Sequence, residues 1–184
     1  MEDALVNPSQ FQAAIERTVT NDDAYLESNV PACCAFTDFR RDNPITVEAD
    51  SSIDEALGDM KRLSVRALLV THQELGDIEQ QVVGLITYYD IERRLPHRYP
   101  QTAASSERGD ILVRDVMTPW NELPLVDYES LQSLTADGLY TMFQGTGLTH
   151  LLVIETRDDE PALARGLVSR ATLAKRLNRP RTAF

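Results

Sequence analysis

The chain has 184 residues, 42% hydrophobic and 26% charged, enough for one good-sized domain or two small units sharing a core. Its formal net charge of −11 argues against a nucleic-acid polymer as partner, because phosphate-backbone binding needs a clustered basic face. No apolar run approaches the ~18 residues that cross a membrane, and Met1-Glu2-Asp3-Ala4 lacks the pattern of a signal peptide, so the chain is expected to be cytoplasmic.

Residues 1–43 read as a non-repeated helical arm. Asn7 caps a first helix with Pro8 at its first position, and Phe11, Ala14, Ile15 and Val19 share one face. A second short helix is expected around Asp22–Glu27, stopped by Pro31. The only cysteines, Cys33 and Cys34, are adjacent and match neither a disulfide framework nor a zinc motif. They are expected to be reduced and half-buried.

From residue 44 a pattern begins that occurs twice. Pro44-Ile45-Thr46-Val47 is β-prone, and Ser52 with Glu55 forms a capping box for a helix carrying Ile53, Ala56, Leu57, Met60 and Leu63. Val65–Thr71 reads as a buried strand, the polar stretch from His72 to Gln80 as a hairpin turn at Gly76-Asp77, and Gln81–Ile86 as the returning strand. Thr87 caps a helix running to about Leu95. After an exposed linker at residues 96–110, the order repeats. Leu123–Val126 is a strand, and Ser130 caps a helix with Leu131, Leu134, Met142 and Phe143. Leu148–Glu155 and Leu163–Val168 are paired strands, and Ser169 caps a last helix through Leu173 and Leu177. Gly84 and Gly166 lie 82 residues apart (166 minus 84), each opening a Gly-apolar-apolar-hydroxyl motif. The fold class is therefore α+β, two β-α-β-β-α repeats expected to pack sheet to sheet, with a repeat at 44–95 and another within 111–184.

These motifs resemble a pair of cystathionine-β-synthase (CBS) domains. Asp115-Val116-Met117-Thr118-Pro119 matches the family's lead-in to a repeat, and both repeats close on Gly-x-x-Thr or Gly-x-x-Ser. A cation, Arg66 or His150, stands before each central strand. The first repeat lacks the Met-Thr lead-in, and the second ends Ser169-x-x-Thr172 where ligand-binding copies usually have Asp. The resemblance covers residues 44–95 and 111–177.

One carboxylate can accept both hydroxyl donors of a ribose in a charge-assisted pair. The resemblance gives Asp90 this role and lets Thr87 contact ribose or phosphate. It puts adenine near the backbone of Ile45, Thr46 and Val47 and beside Val65 and Ala67, with Arg66 facing phosphates. A weaker second site would involve Ser169, Thr172, His150, Thr149 and Arg170. There the neutral Thr172 loses the advantage of a charged hydrogen bond, roughly 1.5–3 kcal/mol against ~1. Thr87-x-x-Asp90 is equally an ordinary helix-capping arrangement, and both roles stay open.

The resemblance implies a stand-alone regulatory module that binds AMP, ADP, ATP or S-adenosylmethionine between its repeats. It implies a homodimer read by an effector protein, with neither nucleic acid nor membrane as partner. The alternative is a ligand-free scaffold of the same fold whose dimer surface is its function. An enzyme is not expected, because no nucleophile–base pair is identifiable. His72, His97 and His150 are dispersed, so no metal is expected either.

Overall fold

The structure, a computed structural model, describes residues 25–72, 81–94, 110–144, 146–157 and 160–179. The helix expected at Asn7, the hairpin turn at Gly76-Asp77 and the linker through residue 109 lie outside them. In chain order the elements are a short turn Ala32–Cys34, β1 (Thr37–Asp38), β2 (Thr46–Glu48), α1 (Ile53–Arg62), β3 (Ala67–His72) and β4 (Gln81–Thr87). A wide π-type turn, Asp90–Arg94, is followed by α2 (Val113–Val116), β5 (Thr118–Pro119) and a tight turn, Trp120–Glu122. Then come β6 (Leu125–Asp127), α3 (Tyr128–Ser133), α4 (Ala136–Gln144), β7 (His150–Arg157), β8 (Glu160–Ser169) and α5 (Arg170–Arg176).

The described residues divide into two compact units. One lies between Pro44 and Leu123; the other joins residues up to Asn43 with those from Pro124 onward. Each holds a mixed four-stranded sheet, in the orders β2-β3-β4-β5 and β1-β8-β7-β6. The first pair in chain order is parallel in both (β2 with β3, β6 with β7), and the hairpins β3-β4 and β7-β8 are antiparallel.

Side chains alternate between the two faces of each strand, and one face of each sheet packs on helices. In the first unit Val47, Leu68, Val70 and Ile86 meet Ile53, Ala56, Leu57 and Met60 of α1, with Ile91, Val113 and Val116 closing the core. The capping box of α1 is formed as expected, Glu55 N donating to Ser52 Oγ at 3.2 Å and Ser52 N to Glu55 Oε2 at 2.9 Å. In the second unit Val126, Leu151, Val153 and Val168 pack against Leu131, Leu139, Tyr140, Phe143 and Leu173, and the turn Ala32–Cys34 adds Ala32.

Three expectations are corrected. Residues 25–27 are not helical; Leu26 N instead donates to the Arg176 carbonyl at 2.8 Å, so this stretch runs along the end of α5. The helix assigned to a Ser130 cap is two helices. Asp127 caps α3 through Glu129 N at 2.8 Å, and α4 restarts where Gly138 N donates to Thr135 Oγ1 at 3.1 Å. Met142, placed on the buried face, is 44% exposed, because the break at Leu134 rotates the second helix relative to a continuous one. The first repeat does lack the Met-Thr dipeptide, but it has an equivalent segment. Phe36-Thr37-Asp38 stands where Met117-Thr118-Pro119 stands in the other unit.

The two lead-ins are edge strands laid over the repeat glycines. Thr118 and Pro119 pair with Leu85 and Gly84, and Thr37 and Asp38 pair with Leu167 and Gly166. Thus the segment preceding the second repeat completes the first unit's sheet, and residues 37–38 complete the second's.

Candidate functional site

The paired strands β3-β4 and β7-β8 bring each motif to the same corner of its sheet. Ala67 lies opposite Thr87, and His150 lies opposite Ser169. The next backbone bond matches too, Tyr88 N donating to the Arg66 carbonyl at 2.9 Å and Arg170 N to that of Thr149 at 2.9 Å. Register therefore makes Thr149, not His150, the counterpart of Arg66. The cation has changed sides: Arg66 faces Tyr88 across the first corner, whereas Thr149 faces Arg170 across the second.

At the first corner Thr87 and Asp90 are both buried, at 7% and 4% exposure. Asp90 Oδ2 accepts from Thr87 N at 2.9 Å and from its hydroxyl at 2.6 Å, while Asp90 N donates to Thr87 Oγ1 at 3.2 Å. This is a closed, reciprocal cap, with the carboxylate fixed where the π-type turn begins. Single π turns recur at functional sites because they re-aim one side chain within a helix. Tyr88 and Tyr89, at 37% and 36% exposure, flank it.

The other expected first-site residues are spread over the same sheet. Arg66 is exposed, and Val65 and Ala67 are half-buried beside it. Thr46 is exposed and shares a row with Leu69, Leu85 and Thr118. Ile45 offers its carbonyl to Leu69 N at 3.0 Å, and Val47 is a core side chain at 7% exposure. Of the named residues, the structure brings Thr87, Asp90, Ala67 and the Arg66 backbone together; Val47 turns to the opposite face.

The second corner differs chemically. Ser169 Oγ accepts from Thr172 N at 3.5 Å, a single loose cap, and Thr172 is exposed. His150 Nδ1 lies 3.0 Å from Thr149 Oγ1, and burial pushes its imidazole down to about 4 from 6.5. It is neutral at pH 7 and offers an anion a hydrogen bond, not a charge.

That shift sets a pH dependence. Between pH 6.5 and about 4 the unfolded chain binds a proton at His150 that the folded chain refuses. Stability is therefore level above this window and falls as the medium is acidified through it. The partial exposure of His150 holds the effect to about 2 kcal/mol. Urea midpoints at pH 7 and 4.5 should show a steeper loss for the native chain than for His150→Gln. Equal losses in both would refute the assignment.

Sequence reading missed the cluster around Arg165, which is only 8% exposed on β8. Its guanidinium bonds Asp38 Oδ2 at 2.8 Å and Glu155 Oε2 at 3.2 Å and lies 4.7 Å from the Tyr128 ring centroid. A usable signal existed. Arg165 interrupts the apolar run before Gly166 at the position where the first repeat has Val83 before Gly84.

Comparison with known proteins agrees with this geometry. Residues 37–97 match the CBS domain family. The fold is similar to that of a CBS-domain-containing protein from Agrobacterium tumefaciens, at 20% identity and TM-score 0.52, covering 74% of this chain and 86% of that one. It is also similar to CBSX2 of Arabidopsis thaliana in complex with AMP, at 22% identity and TM-score 0.51, covering 79% and 94%. A third similar structure is the CBS domain of the bacterial CNNM/CorC family Mg2+ transporter in complex with ATP, at 13% identity and TM-score 0.52, covering 81% and 87%. No curated protein matches the chain. Residues 37–97 thus match the CBS domain, and the chain shares the fold of these CBS-domain proteins.

Proposed function

We propose that the chain is a regulatory module that binds an adenine nucleotide or adenosyl ligand at the Thr87–Asp90 corner, the occupied state altering its contacts with an effector protein or a second copy. The observation that carries this reading is the buried carboxylate of Asp90, fixed beside the Thr87 hydroxyl. A charge is expensive to bury, and a capping role alone is served as well by an exposed side chain. Two proteins of similar fold are known in complexes with AMP and ATP, which supports the ligand class. A bound ribose has to share Asp90 with its cap, so affinity is set by how much of that cap the ligand replaces. Ligand binding then acts by population shift, favouring whichever state holds it better.

A second reading, a ligand-free interaction scaffold, is favoured by one observation, the completeness of the Thr87–Asp90 cap. Thermal unfolding with AMP, ADP, ATP and S-adenosylmethionine separates the two. A ligand at about 100 times its Kd adds ~2.7 kcal/mol to stability. Asp90→Asn keeps an acceptor for the Thr87 N–H but removes the charge, and it should abolish the shift while leaving the chain folded. Thr172→Ala should leave the shift intact. No shift with any compound supports the scaffold.

A further inference from the structure

Two cysteines, Cys33 and Cys34, are consecutive on the turn Ala32–Cys34, in the unit that does not contain Thr87 and Asp90. Cys33 is half-buried and packs against the core of its unit, Cys34 is exposed, and both are free thiols. The turn is anchored at both ends. Ala32 and Ala35 are 0% and 3% exposed, Ala32 N donates to the Leu134 carbonyl at 2.8 Å, and Ala136 N donates to that of Val30 at 2.8 Å. The pair therefore rides on a fixed piece of backbone.

The chemistry of the pair narrows its ligand. Burial pushes the Cys33 thiol up, as do the neighbouring Cys34 and a hydrogen bond to it. Cys33 is thus a protonated thiol at neutral pH and a poor nucleophile toward peroxides or alkylating agents. Among the described residues, no group of three His, Cys, Asp or Glu side chains could hold a metal ion. Zinc, which takes four ligands, is poorly served. A soft centre that needs only two sulfurs and brings its own third substituent is well served.

We propose that Cys33 and Cys34 form a dithiol site for a monosubstituted trivalent arsenical, held through two As–S bonds. Each thiol proton leaves with the oxygen of the arsenical, so two S–H bonds and the arsenic–oxygen bond are exchanged for two As–S bonds and one water. Arsenic stays trivalent, and no oxidant or reductant takes part.

The test is titration of the full chain with phenylarsine oxide, without nucleotide, followed by intact mass and free-thiol count. One adduct should form with both thiols consumed, reversed by a dithiol but not by a monothiol. Because the fold fixes the backbone that carries both thiols, the native chain should bind about tenfold tighter than the same chain in urea. Cys33→Ser and Cys34→Ser should each weaken binding by at least about tenfold, since a chelate becomes a single bond. A thiol left titratable at saturation, equal affinity in native and unfolded chains, or retained affinity in either serine variant overturns the proposal.

Discussion

Gly166→Ala is expected to destabilise the protein by about 3 kcal/mol, at the upper end of what overpacking usually costs. A Cβ at this position would strike the Thr37 carbonyl oxygen and the Phe36 ring, both inside any real contact distance. The first obstacle is backbone and the second a rigid ring, so neither can yield cheaply. Relief requires that β1 lift from β8, exposing Phe36 and breaking the pairing of Thr37 and Asp38. Gly84→Ala meets the Thr118 carbonyl oxygen at 2.6 Å and the Met117 sulfur at 2.8 Å. Met117 can turn aside, so that loss should be smaller, about 2 kcal/mol. Gly58 provides the opposite sign: nothing lies within 4 Å of its would-be Cβ in α1. Gly58→Ala should stabilise by ~0.5–1 kcal/mol, from helix propensity and reduced freedom of the unfolded chain. Urea midpoints of the three variants give the ranking directly. If Ala at 166 costs no more than Ala at 84, β1 does not cover Gly166.

This contrast shows what the sequence could reveal and why. The 82-residue spacing of Gly84 and Gly166 marks a repeat, but not the reason for the glycine. That reason is a strand lying over it, supplied from elsewhere in the chain. Apolar periodicity exposed α1, which buries one face, and continuous apolar runs exposed β3 and β7, in which Leu68, Leu69, Val70 and Leu151, Leu152, Val153 are all buried. It failed on β1 because a two-residue edge strand has no period, and because Phe36 and Asp38 replace the Met and Pro of the other lead-in. It failed at Ser130 because Asp127 and Thr135 are equally good caps three and five residues away, and only packing of Leu131 and Leu139 chooses between them.

The capping pair Thr87 and Asp90 was legible to the level of residue identity. Thr87-x-x-Asp90 was open to a cap or a ribose contact; the geometry forms the cap and also buries the carboxylate, which the motif alone does not predict. Pairing the cations by type, Arg66 with His150, was misleading. Alignment along the strands put a histidine opposite Ser169 and moved the second cation to Arg170, a distinction that needs the hydrogen-bond register. Nor could sequence separate a charged His150 from a neutral one, since desolvation is a property of the folded surroundings.

Arg165→Met is the other large loss expected, about 2–3 kcal/mol. Removing one partner of a buried ion pair costs roughly 3–5 kcal/mol, because the remaining charge keeps its desolvation penalty. Two features reduce this. Glu155 keeps Arg40, at 2.7 Å, and the side chains of Asp38 and Glu155 retain 17% and 25% exposure. Asp38 loses most, since Arg165 is what holds this end of β1, and the Tyr128 ring that stacks on the guanidinium also meets Phe36 at 5.9 Å between centroids. Arg165→Lys should recover little, because an ammonium lacks the planar fork that reaches two carboxylates and stacks on a ring. Its buried Nε has no hydrogen-bond partner among the described residues, so the native arrangement already carries a cost that the two ion pairs offset. A double-mutant cycle with Asp38→Asn isolates the tie to β1, and the coupling should reach at least about 1 kcal/mol. It should change little between 0.05 and 0.5 M salt (roughly a tenfold range), as expected of a pair shielded from solvent ions by burial. Coupling near zero, or a coupling that salt removes, would mean that β1 is held by Phe36 and the backbone alone.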